Sequence, residues 1–99
     1  MSELRRLVEQ RGESLRQLSR EDLVAAGNQP TEDLRLQGRS ATIDIIVEPR
    51  DEGSLRVVVA GFMHGRVLGI WTWTAFDGFY LRPDGKIDPV PVGEFYEFD

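Results

Sequence analysis

The chain has 99 residues, with 17 acids against 12 bases and a net charge of −5, which suits one domain around one modest core. It has no cysteine and a single histidine, which excludes disulfides, thiolate catalysis, Cys-based zinc sites and any two-histidine metal site within one chain. Outside the N-terminal arginines there is no basic stripe to displace counterions, so nucleic-acid binding is not expected.

The N-terminus shows no apolar stretch of signal-peptide length, and nowhere do about 18 apolar residues run together, so the expectation is a cytoplasmic chain that does not engage a membrane. Leu4, Leu7, Val8 and Arg11 fall at i, i+3, i+4 and i+7, one stripe of a helix, with Ser2 placed to cap it. Gly12 either ends this helix or interrupts a longer one, and Leu15 and Leu18 follow. Ser19 precedes Arg20-Glu21-Asp22-Leu23-Val24-Ala25-Ala26, with acids in the first turn and Gly27 at the far end, which predicts a second short helix. Gly27-Asn28-Gln29-Pro30 is a linker that no helix can cross.

Beyond Pro30 the apolar period changes from 3.6 to 2. Leu34 and Leu36 lead into a Gln37-Gly38 turn. Ile43, Ile45 and Val47 then alternate on one face of a strand, and residues 49–53 read as a loop. Leu55–Phe62 reads as a strand whose three consecutive valines imply burial on both faces. Asp77-Gly78 and Pro83-Asp84-Gly85 carry turn chemistry, and Ser40 and Ser54 are read as turn residues. The fold class expected is α+β: one or two N-terminal helices packed on a meandering antiparallel sheet of four to six strands. The division is a single domain over 1–99, helical over 1–27 and mainly strands over 31–99.

Charge is unevenly spread. Residues 1–29 carry five acids and five arginines, whereas the last thirteen, IDPVPVGEFYEFD, hold four acids and no base. Aromatics are concentrated too, for WTWTAFDGFY (71–80) has five of the nine. If His64-Gly65 closes a two-residue hairpin, Val58 lies opposite Trp71 and Arg56 opposite Trp73. Trp71, Trp73, Arg56, Val58, Ala60 and Phe62 would then share one face, with Leu55, Val57, Val59, Leu68 and Ile70 on the other. The helices can cover only one of these faces. The second needs the C-terminal FYEF segment, a curl of the sheet, a second copy of the chain or a ligand. The aromatics are thus either ordinary core or a partly exposed platform for a partner. On the arm reading, the C-terminal segment packs near the tryptophans and covers them incompletely, because Glu94, Glu97 and Asp99 resist burial.

Other chemistry is sparse. His64 reads as an exposed turn residue; as a general base it would need Asp77 or Asp44 to orient it. No serine stands in a nucleophile elbow. Gly61, Gly65 and Gly69 open no phosphate loop. Asp84-Gly85-Lys86-Ile87-Asp88 lacks the ligand set of a calcium loop. The functional expectation is a small acidic, non-enzymatic protein-interaction module, an inhibitor or immunity-type partner in its most concrete form. It takes no cofactor, and it meets a protein partner or a second copy through Trp71, Trp73, Arg56, Tyr80, Phe95 and Tyr96. The alternative from another class is a small-ligand-binding domain or enzyme subunit, with a pocket lined by Trp71, Trp73, Tyr80 and Arg56.

Overall fold

The computed structural model describes the backbone over residues 3–36, 38–64 and 72–98. Two helices, α1 (Glu3–Leu15) and α2 (Arg20–Gly27), precede five strands: β1 (Glu32–Leu36), β2 (Arg39–Pro49), β3 (Leu55–His64), β4 (Thr72–Leu81) and β5 (Ile87–Pro89). A 3-10 helix over Val92–Phe98 forms a C-terminal arm. The sheet order is β1-β2-β3-β4-β5, with every neighbouring pair antiparallel. This is the α+β meander expected.

The helical stripe folds as its spacing requires. Leu4 and Val8 are fully buried, Leu7 partly so. Gly12 does not end α1 but lies buried inside it, and the helix runs on to Leu15. Ser19 caps α2 by accepting a hydrogen bond from the Asp22 amide at 3.2 Å, which satisfies one of the donors left over at a helix start. The helices lie on the sheet face that carries Ile43, Val57, Val59, Met63, Ala75 and Phe79. Val57, Val58 and Val59 are all fully buried, each a burial favourable by about 1.5–3 kcal/mol.

Three expectations need correction. Asp77-Gly78 is no turn: both residues lie inside β4, where Gly78 faces Val58 across the ladder. A Cβ at position 78 would stand 2.7 Å from the Val57 carbonyl oxygen, so the glycine serves a close approach rather than a bend. Ser40 likewise sits in β2, opposite Arg35. The third correction is the register of the β3–β4 hairpin. His64 pairs with Thr72, Met63 with Trp73, and Arg56 with Tyr80, so the strands do not close at His64-Gly65. The shift is an odd number of residues, and an odd slip moves a strand's side chains to the opposite face. Position 73 is therefore not opposite Arg56, and the face expected to unite the tryptophans with Arg56 does not form as drawn. Trp71, Leu68 and Ile70 lie outside the described residues. His64, expected in a turn, is the last residue of β3. Two expected turns hold: residues 51–53 link β2 to β3, with Glu52 and Gly53 at φ 61 and 80, and Pro83-Asp84-Gly85 links β4 to β5, whereas Gln37 of the Gln37-Gly38 turn lies outside the described residues.

α1 is fastened to β4 by one ion pair. Arg16, just past the helix end, donates to Asp77 through both guanidinium nitrogens, at 2.8 and 3.1 Å, and to the Gly78 carbonyl at 3.2 Å. The same guanidinium lies 5.1 Å from the centre of the Phe79 ring. Asp77 also accepts the Gly78 amide at 2.9 Å. A bidentate arginine–carboxylate pair of this kind fixes orientation as well as distance.

Candidate functional site

The sheet face turned away from the helices is built from alternate residues: Thr42, Asp44, Ile46 and Glu48 on β2, Arg56, Val58, Ala60 and Phe62 on β3, and Thr74, Phe76, Gly78 and Tyr80 on β4. The C-terminal arm lies across one end of it. Phe95 stacks on Phe76 with ring centres 5.4 Å apart and planes 9° from parallel. Phe62 meets Phe76 edge-on at 6.1 Å. These are the two favoured aromatic geometries, and all three rings remain half-buried rather than enclosed.

Beside the rings sits a buried cation. The Arg56 side chain is only 3 % exposed, yet it donates to Glu48 at 2.7 Å and to Glu94 at 2.9 Å. The carboxylates stay nearer water, at 39 % and 29 % exposure. A buried charge demands such partners, because unpaired it would be costly. The Tyr80 hydroxyl donates a hydrogen bond to the same Glu94 oxygen that Arg56 holds. That bond, and then Arg56, keep the Glu94 carboxyl below the usual carboxylate range. In return Glu94, followed by partial burial, pushes the Tyr80 phenol above its ordinary value. Each partner is held in the form the other needs. Next to this cluster an open groove of about 510 Å³ runs past Arg50, Ser54, Tyr80, Arg82 and Pro91. Arg82, one of its lining residues, is bonded to Asp88 at 2.6 Å.

Of the residues expected to form the site, Arg56, Tyr80 and Phe95 come together around Glu94 and Phe76. Tyr96 lies within the arm helix, Trp73 stands near the opposite end of β4 from Tyr80, and Trp71 falls outside the described residues. The C-terminal segment does dock on the second sheet face, though on its phenylalanine and arginine portion. Glu94 joins that contact rather than resisting it. Phe76, Glu48 and Glu94 were missed as partners. Their only sequence signal was the even spacing of Phe76 and Tyr80 along β4 and the direct adjacency of Glu94 to Phe95.

Among the described residues no cluster of three or more His, Cys, Asp or Glu is placed to hold a metal ion, and no helix is long and apolar enough to cross a membrane. No protein-family model, no curated protein and no solved structure matches the chain.

Proposed function

We propose that this chain is a non-enzymatic protein-interaction module that meets its partner through the sheet face its helices leave open. One observation carries the reading: Phe62, Phe76 and Phe95 form a continuous, half-buried row on that face. Aromatic rings that keep accessible area beside a fixed arginine suit the centre of an interface. Asp44 and Glu48, on the adjoining strand, give the row an acidic border, so the fitting partner is basic around an apolar centre. A net charge of −5 steers such a partner and speeds its approach. An inhibitor or immunity-type role toward a basic protein is the most concrete form of this reading. The small-ligand alternative has less support, because the polar ends of Arg56 and Tyr80 are both bonded to Glu94 and the groove beside them is open.

Capture of partners on the immobilised protein tests the reading. Phe62→Ser and Asp44→Lys, checked for unchanged circular dichroism, should each cut retention of the captured partner at least tenfold, and added salt should weaken what remains. Full retention by both folded variants would overturn the assignment of this face.

A further inference from the structure

Among the described residues the arm is held to the sheet through side chains, and no ladder of backbone bonds joins them. Val90 is buried, and after Pro91 the chain loosens: Val92 is 73 % exposed and Gly93 is exposed as well. The next two residues then enter a defined slot. Its floor is Gly78, where a Cβ would stand 3.3 Å from a Phe95 ring carbon. Its wall is the Phe76 ring, stacked on Phe95. Its closed end holds two donors aimed at one carboxylate oxygen, the Arg56 guanidinium and the Tyr80 hydroxyl. Glycine inside a strand costs stability, and a cation buried to 97 % of its side chain must be matched. The arm matches both: its acidic residue meets the cation beside Glu48, and the glycine that the Val57 carbonyl already requires leaves room for the aromatic residue that follows. The arm offers that pair twice, Glu94-Phe95 and Glu97-Phe98, and their three-residue spacing equals one turn of a 3-10 helix.

We propose that this slot is a docking site for an acidic–aromatic segment of a partner protein, Glu or Asp followed by Phe, and that the arm is its resident intramolecular occupant. A partner segment enters by displacing the arm. Because the arm is tethered a few residues away, it competes at an effective concentration of about millimolar. Weak segments are therefore excluded, and strong or multiply anchored ones are admitted. The slot shares Phe76 and Phe95 with the partner surface above, and failure of the two readings is distinguishable because the test below uses neither Phe62 nor Asp44.

The test is fluorescence polarisation with a labelled decapeptide, VPVGEFYEFD, copied from the arm, against the 99-residue chain. Wild-type protein should bind this probe weakly. The Glu94→Ala/Phe95→Ala double variant, with its slot vacated, should bind it at least tenfold more tightly. A probe with Gln for both Glu and Ala for every Phe should show no binding to either protein. Should the double variant lose cooperative unfolding, Glu94→Gln serves instead, with the same tenfold gain expected. Equal affinity of wild type and variant, or indifference to the probe's acidic and aromatic residues, overturns the proposal.

Discussion

Glu94 and Tyr80 illustrate how a single shared hydrogen bond sets a pH range. In the folded chain the Glu94 carboxyl titrates below its ordinary value of 4.5, because Tyr80 and Arg56 favour the carboxylate, with Arg50 adding a weaker field. A depressed folded value means that the ionised group stabilises the docked arm above about pH 4.5, and this contribution is lost as pH falls through the lower folded value. Tyr80 works in the opposite sense. Its phenol is raised above 10.0, chiefly by Glu94, so its contribution is complete below about pH 10 and is lost as pH rises through the higher folded value. The arm should thus stay docked across the neutral range and release at both extremes. Following the Gly78 amide signal by NMR over a pH titration checks this. Wild type should show an acid and an alkaline transition, Glu94→Gln should lack the acid one and move the alkaline one to lower pH, and Tyr80→Phe should lack the alkaline one.

Between elements, the contact of α1 with β4 yields a reversal of an ordinary rule. Replacing glycine by alanine inside a helix normally stabilises by about 1 kcal/mol. A Cβ at Gly12 would lie 1.9 Å from an Asp77 carboxylate oxygen, so Asp77 would have to turn away and surrender its two bonds from Arg16. The pair is only partly buried, at 26 % and 22 % exposure, and its loss should outweigh the helical gain by about 1 kcal/mol. Gly12→Ala should therefore destabilise the wild type, yet in an Asp77→Ala background it should stabilise by up to about 1 kcal/mol. Urea denaturation of the four proteins measures both signs, and a gain in the wild type would show that Asp77 does not rest on Gly12. This contact also marks where reading the chain stops working. The change of period at Pro30, the alternation of Ile43, Ile45 and Val47, and the Pro83-Asp84-Gly85 turn were legible because each depends on neighbours in sequence. Gly12 and Gly78 were misread for the opposite reason. The atoms that require them belong to Asp77, Val57 and Phe95, so local rules saw only a helix stop or interruption and a turn. The β3–β4 register failed similarly, because several glycines could close the hairpin and only long-range packing chooses among the faces. Arg56, Tyr80 and Phe95 were individually visible as candidates, whereas the carboxylate that unites them was not.

At the scale of the whole molecule, the strand order β1-β2-β3-β4-β5 keeps each strand beside its sequence neighbour, so the sheet can assemble hairpin by hairpin with short loops to close. The layers differ in this respect. α2 lies on β2, close by in the chain, whereas α1 lies on β3 and β4. Arg16 and Asp77 are 61 residues apart, and during synthesis that separation becomes a delay. At cellular elongation rates it corresponds to roughly 3 to 12 s. For that interval the nascent chain carries a 13-residue helical segment whose stripe of Leu4, Val8 and Leu15 lacks the β4 part of its resting surface. A helix of that length is marginal alone in water. Ribosome-stalled chains that stop before Asp77 should lose α1 rapidly to a limited protease, and chains long enough to expose all of β4 should protect it; early protection would mean that α1 first docks elsewhere. A segment made before the sheet is thus among the last to find its place, and the growing chain shows its stickiest face while the sheet that will cover it is still being made.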